Sequence, residues 1–205
     1  MKKKLLFLAV LVTLFLASQN ASAVFLTFED PSLIIGATYD VGDSFYASGK
    51  QIIVGEFYPM VGNPITDGDV SIGNSGQAGA FGKELEVSNV NLSFVLNFDG
   101  CPACALALLF GEYGGDINLG IDGTIVSAAD FYDLPLTING ASIFVRGSGA
   151  LGSILIITGD IDTFTIGGQE LYIDNVLLCE IPEPTTVILL GLGGLSLLAK
   201  RRNRR

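Results

Sequence analysis

The stretch Val-Ser-Asn-Val-Asn-Leu-Ser-Phe-Val-Leu-Asn-Phe, residues 87–98, decides the fold class. Apolar and polar residues alternate along it, and a period of two residues is typical of a β-strand with one buried face. The residues predicted on the buried face are Val90, Leu92, Phe94, Leu96 and Phe98. The asparagines and Ser93 lie mostly on the other face, so the stretch predicts an antiparallel strand that is half buried.

Short runs of the same character continue on both sides, separated by turn signals such as Asn139-Gly140 and Gly167-Gly168. This spacing predicts an all-β domain, an antiparallel β-sandwich of the jelly-roll kind. The long helical patterns fall at the two ends of the chain. The predicted strands are Val24–Phe28, Gln51–Tyr58, Leu85–Phe98, Ala105–Phe110, Ile117–Ile121, Leu136–Ile138, Ser142–Arg146, Ser153–Thr158, Ile161–Ile166 and Glu170–Leu178.

The first 23 residues have the pattern of a signal peptide. Lys2–Lys4 are followed by the apolar run Leu5–Leu16 and then by Ala21-Ser22-Ala23. The run is shorter than the roughly 20 apolar residues of a membrane-spanning helix. We therefore expect an N-terminal signal helix, residues 1–23, that signal peptidase removes after Ala23.

The C-terminal residues 181–205 form a second targeting segment. Its parts are Pro182-Glu183-Pro184, an apolar run over residues 187–199, and the basic residues Arg201, Arg202, Arg204 and Arg205. The prolines end regular structure. Arginines beside a hydrophobic helix stay on the cytoplasmic side of a membrane. The pattern predicts a hydrophobic membrane helix with an arginine stop, behind a domain that spans residues 24–180.

These three features in this order resemble the PEP-CTERM sorting signal. The resemblance implies recognition by an exosortase-type membrane protease, removal of the tail, and release or attachment of the domain at the cell surface or in the extracellular matrix. The alternative is a C-terminal membrane anchor that is never cut. The stretches Phe110–Gly123 and Phe164–Val176 resemble the domain of other exported proteins with this tail, which supports the fold and the location without implying a chemistry.

The composition of residues 24–180 excludes several functions. Three basic residues, Lys50, Lys83 and Arg146, stand against 20 acidic residues, a net charge of −17. Such a surface repels nucleic acid and anionic lipid. The chain has no histidine, which removes Ser-His-Asp and Cys-His catalysis and imidazole-bound metals. We therefore expect a protein that is not an enzyme.

Two acidic residues are candidates for a structural calcium site. Glu29 follows the first predicted strand, and Asp174 lies in the last one. These strands resemble the first and last strands of jelly-roll carbohydrate-binding modules, a resemblance that implies a Ca²⁺ ion held by an acidic residue near each end and by main-chain carbonyls. The candidates are Glu29 and Asp174, with Asp30 as a further ligand, and the alternative is that they are ordinary strand-edge carboxylates.

Cys101 and Cys104 form a C-x-x-C pair, and Cys179 precedes the tail. A signal peptide places all three in an oxidising compartment, where a structural disulfide is favoured over redox chemistry. The pairings left open are Cys101 with Cys104, or Cys179 with either of them.

Two functions fit these observations. The first is a structural or adhesive component of the cell surface or extracellular matrix without catalysis. The second is a carbohydrate-binding module whose partner is an extracellular polysaccharide. A hydrolase is disfavoured because the chain lacks histidine and shows no signature of paired catalytic carboxylates.

Overall fold

Two long strands, β8 (Ala103–Ile121) and β13 (Thr163–Cys179), organise the domain in the computed structural model, which describes residues 23–96, 103–147 and 152–179. They pair antiparallel along most of their length. The described strands form one 13-stranded sheet. The other strands are β1 (Ala23–Leu26), β2 (Thr38–Asp40), β3 (Ser44–Ala47), β4 (Lys50–Glu56), β5 (Asp69–Gly73), β6 (Glu84–Ser88), β7 (Val90–Val95), β9 (Thr124–Ala128), β10 (Thr137–Ile138), β11 (Ala141–Arg146) and β12 (Ser153–Ile161).

All strand pairs in the sheet are antiparallel. One path runs in the order β10-β11-β12-β8-β13-β6-β5-β2, with β1 beside the end of β13. The first half of β13 pairs instead with β7, which continues to β4 and β3, and the second half of β8 pairs with β9. The all-β antiparallel prediction is confirmed. The sheet is continuous through β8 and β13, so the predicted sandwich of two sheets is not confirmed.

The pairing of β8 with β13 shifts in register around Gly168–Gln169. We call this place the corner and define it by Asn89, Gly114–Gly115 and Gly168–Gln169. Asn89 separates β6 from β7 with a φ of 55°, and Gly115 has a φ of 77° within β8. The side chain of Gln169 spans the three strands, because its Nε2 donates to Asn89 Oδ1 (3.2 Å) and its Oε1 accepts from the N–H of Asp116 (2.8 Å). The N–H of Asn89 also donates to the carbonyl of Gly168 (2.9 Å).

The inward faces on both sides of the corner build one hydrophobic core. Phe94 of β7 meets Phe164 of β13 with ring centroids 5.6 Å apart. Phe110 of β8 meets Phe131, which lies in a single 3-10 turn (Phe131–Asp133), at 4.3 Å. Each fully buried phenylalanine contributes about 1.5–3 kcal/mol relative to an exposed one. Because the strands and this core lie within residues 23–179, we expect that unit to fold without the flanking segments.

The alternating stretch behaves largely as its pattern predicts. Val90, Leu92, Phe94 and Leu96 are buried, and Phe98 lies outside the described residues. Asn91 departs from the prediction because it is buried as well. Its Nδ2 donates to the carbonyl of Glu56 (2.7 Å), so the side chain serves the neighbouring β4 rather than solvent.

Several strand boundaries differ from the predicted ones. The predicted strand Leu85–Phe98 is split at Asn89, since a positive φ interrupts the ladder. The predicted pair Ala105–Phe110 and Ile117–Ile121 is the single strand β8, and Ile161–Ile166 with Glu170–Leu178 corresponds largely to β13. In both cases the glycines bend the strand without ending it.

The two predicted terminal helices lie almost entirely outside the described residues, apart from Ala23, which begins β1 opposite Cys179. Within the described part of the chain no helix has the length and apolar character to cross a membrane.

Replacing Gly115 by alanine tests the corner. A left-handed φ costs a non-glycine residue about 1–2 kcal/mol, and an added Cβ would also lie 2.6 Å from Gln169 Cβ. Gly123 is the matched control, since it has a φ of 79° with no atom within 4 Å of an added Cβ. In urea unfolding of residues 24–180 we expect Gly115→Ala to lose ~1–3 kcal/mol more than Gly123→Ala, a typical cost of overpacking. Equal losses would mean that the Gln169 contact does not matter.

Candidate functional site

A groove of about 420 Å³ lies beside the corner, on the outward side of the sheet. Strands β5, β6, β8 and β13 and the loop over residues 74–83 contribute to it. We call it the tyrosine groove and define it by Tyr113 and Tyr172, the carboxylates of Asp69, Glu86 and Glu170, and the polar side chains of Ser71, Gln77 and Gln169. Because Gln169 also belongs to the corner, the bend of the sheet sets the shape of the groove.

The two tyrosines meet edge to face, with ring centroids 5.4 Å apart and an interplanar angle of 87°. Tyr113 is 42% exposed, and its hydroxyl donates to the carbonyl of Gln77 (3.3 Å). Burial raises the pKa of Tyr172, and the negative charges of Glu86 and Glu84 add to the shift. The Tyr172 hydroxyl therefore remains a hydrogen-bond donor at and above neutral pH.

The loop wall of the groove is held by Glu84, which is 2% exposed. Its carboxylate accepts from the Ser75 hydroxyl and from the N–H groups of Gln77 (3.3 Å) and Ala78 (2.8 Å). An ionised acceptor with several donors makes strong hydrogen bonds in a buried site. Glu84 thus positions Gln77 over the groove. Sequence reasoning did not identify this role, because nothing in the spacing of these residues indicates that the loop folds back on β6.

Of the two predicted calcium ligands, Asp174 lies within electrostatic range of Glu29 and also of Glu84. The pKa of Asp174 is raised to about 6, mainly because burial desolvates the carboxyl group. The hydrogen bond from the Asn175 N–H lowers the pKa, and the charges of Glu84 and Glu29 contribute to the rise. The two oxygens of Asp174 accept from the Asn175 N–H (2.7 Å) and Nδ2 (3.2 Å). The charge of Glu29 thus reaches Asp174, as does that of Glu84, a carboxylate that sequence reasoning did not include.

The surroundings of these carboxylates are already hydrogen-bonded. Glu29 Oε1 accepts from the N–H of Lys83 (2.7 Å). Asp30 Oδ1 accepts from the N–H (2.9 Å) and hydroxyl (2.7 Å) of Ser32, and its carbonyl accepts from Lys83 Nζ (2.9 Å). Among the described residues no group of three or more Asp, Glu, Cys or His side chains is arranged to hold a metal ion. Calcium at Glu29 and Asp174 stays a prediction.

Two of the three cysteines lie on neighbouring strands. Cys104 of β8 donates its thiol hydrogen to the main-chain carbonyl of Cys179 on β13 (3.0 Å). Cys101 lies outside the described residues. The disulfide pairing stays a prediction.

Glu112 precedes Tyr113 on β8 and is half-buried beside the 3-10 turn. Burial raises its pKa to about 7, with a further contribution from the charge of Asp130. The N–H of Phe131 donates to its carboxylate (3.4 Å) and opposes the shift, while the charge of Asp133 adds to it. Glu112 therefore titrates close to neutral pH.

The comparison with protein families identifies the tail. Residues 180–205 match the family model of the PEP-CTERM protein-sorting motif. The chain thus carries this motif, as its Pro-Glu-Pro box, hydrophobic run and arginines predicted. The sorting residues Pro182, Glu183, Pro184, Arg201, Arg202, Arg204 and Arg205 lie within the matched segment and outside the described residues. No curated protein matches the chain.

The raised carboxyl pKa values predict that the domain loses stability as the pH rises. Between pH 4.5 and about 7 the folded state keeps on Glu112 a proton that the unfolded state releases, so the free energy of unfolding falls through this window. Asp174 acts in the same direction between pH 3.8 and about 6. We expect a lower melting temperature at pH 8 than at pH 5, measured by circular dichroism.

Glu112→Gln should raise the melting temperature at pH 8 and change it little at pH 5, because the amide carries no charge at either pH. Asp67→Asn, at an exposed turn, is the control that removes one charge without removing a buried carboxyl. A Glu112→Gln variant with the same drop between pH 5 and pH 8 as the wild type would contradict the assignment.

Proposed function

We propose that this protein is an exported component of the cell surface or extracellular matrix, with a structural or adhesive β domain that carries out no catalysis. The matched sorting motif is the observation that carries the proposal, since it supports export and sorting by an exosortase-type protease. In this proposal the protease removes the tail, and the domain remains at the surface or in the matrix. The absence of histidine from the chain supports the non-catalytic part.

An apolar row on the outward face of the sheet supports the adhesive part. Successive register partners cross five strands, from β1 through β13, β8 and β12 to β11. We call it the apolar row, and its members are Phe25, Leu177, Ala107, Ile156 and Phe144. Phe25 is 50% and Phe144 57% exposed. Contiguous exposed apolar surface on a soluble domain indicates an interaction site.

The occupant that we propose for the apolar row is a second copy of this chain, because the row is the surface where charge repulsion between two copies is weakest. The domain carries a net charge of −17, so most contacts between two copies would be repulsive. None of the five residues of the row is charged, and Arg146, one of the three basic residues of the domain, lies two residues beyond Phe144 on the same face of β11. An acidic second copy would meet the least repulsion here.

Carbohydrate binding is the second candidate function, and the tyrosine groove is the observation that favours it. Sugar sites combine aromatic surface with hydrogen-bonding groups in a concave place. The groove offers two tyrosines beside several carboxylates and amides. An adhesive matrix protein that binds a polysaccharide would combine both candidate functions.

Replacing Pro182, Glu183 and Pro184 by alanine tests the sorting. The box keeps the chain extended just outside the membrane, where a membrane-embedded protease can reach it. We expect the triple variant to accumulate uncut in the membrane fraction, whereas a chain ending at residue 180 should appear in the medium. Immunoblots of cell fractions measure both. If the alanine variant is cut and localised like the wild type, the segment acts only as an anchor.

Self-association through the apolar row predicts a concentration-dependent increase in mass for residues 24–180 in sedimentation experiments. We expect Phe144→Ser to weaken the association by at least about tenfold, because it removes a half-exposed aromatic anchor. Tyr46→Ser is the matched control, since Tyr46 is also 57% exposed but lies on β3, away from the row. A monomer at all concentrations, or equal weakening by both variants, would contradict the proposal.

A further inference from the structure

The tyrosine groove has the size of a ligand site. Its volume of about 420 Å³ falls within the range of roughly 300–1,000 Å³ typical of small-molecule pockets. Its floor consists of residues on paired strands, and its loop wall is fixed by the buried carboxylate of Glu84. The groove is therefore held by the fold itself and needs little ordering when a ligand binds.

The tyrosines set the kind of surface that the ligand must present. The two perpendicular tyrosine rings form an apolar angle in the groove, and the ring of Tyr113 is exposed there. A flat ligand with a C–H face fits such a surface, and a cation near an aromatic face gains a further attraction.

The polar groups of the groove are mainly acceptors. Asp69, Glu86 and Glu170 bring three carboxylates, and none of the described lining residues is a lysine or arginine. The Ser71 hydroxyl donates its hydrogen to Glu86 Oε2 (3.2 Å), so this hydrogen is already used and is not offered to a ligand. Charges of one sign in a cleft concentrate ligands of the opposite sign. The groove therefore favours a ligand that carries hydroxyl donors and a positive charge, and it rejects uronic acids and sulfated sugars.

We propose that the tyrosine groove binds a saccharide with free amino groups, such as a segment of a de-N-acetylated hexosamine polymer in the matrix. The sugar ring lies against Tyr113 and Tyr172, and its ammonium groups face the carboxylates of Asp69, Glu86 and Glu170. This inference rests on the second candidate function, carbohydrate binding, and names its ligand class. Glu84 acts as a positioning residue through Gln77.

Isothermal titration calorimetry of residues 24–180 at pH 6 with a glucosamine hexamer tests the proposal. We expect a dissociation constant below about 1 mM. Tyr113→Ala and Glu170→Gln should each weaken binding by about tenfold or more, whereas Tyr46→Ala, an exposed tyrosine outside the groove, should leave it unchanged. Melting curves of the variants show whether each remains folded. Because Glu170 is exposed, its variant gives an answer even if Tyr113→Ala fails to fold.

Three further ligands separate the outcomes. An N-acetylglucosamine hexamer and a galacturonate oligomer should bind at least tenfold more weakly than the glucosamine hexamer. Equal binding of the N-acetylated hexamer would overturn the amino-sugar assignment and leave carbohydrate binding standing. Binding of none of the sugars would overturn both. Tetralysine is the third ligand. If it binds as tightly as the glucosamine hexamer, and if Tyr113→Ala weakens its binding by the same factor, the amino-sugar assignment is overturned in favour of a basic peptide.

Discussion

The bend of three neighbouring strands at the corner is the constraint on which the rest of the structure depends. A sheet with one apolar face is stable only when that face is covered. Strands β8 and β13 continue on both sides of the corner, so their inward side chains meet in one core. Gln169 spans from Asn89 to Asp116 and fixes the bend in all three strands together. The same side chain reaches the tyrosine groove, so the groove is a by-product of the way the sheet folds over its core.

The sequence predicts the strands better than it predicts their continuity. Alternation at residues 90–96 indicated the buried face correctly, because a period of two reports directly on burial. The pattern predicts a turn at Gly167–Gly168 and no strand over residues 111–116, whereas the ladder continues through both segments. Whether a glycine ends a strand or bends it depends on the partner strand, which is distant in sequence. The short strands β2, β3, β5 and β9 were missed, since three to five residues give too little pattern.

The candidate site was predictable only in part, for a related reason. The first strand pairs with the last, as the resemblance to jelly-roll modules implies, and the charge of Glu29 reaches Asp174. Glu84 and the tyrosine pair belong to strands that meet only in the folded sheet, with Tyr113 and Tyr172 on β8 and β13. Residue types alone do not indicate such a meeting. The sorting motif could be predicted from the sequence because its recognition depends on a linear order of residues rather than on a fold.

The tyrosine groove and the apolar row differ in their electrostatics. Two carboxyl groups with raised pKa values lie on the strands that form the groove, since Glu112 precedes Tyr113 and Asp174 lies two residues after Tyr172. Neither carboxyl group lines the groove, so their raised pKa values bear on the stability of the domain and not on ligand contacts. The apolar row contains no such group, so a contact there depends on burial of area and little on pH. Three carboxylates line the groove, so ligand binding there would respond to salt more strongly than association through the apolar row, although both use the same continuous sheet.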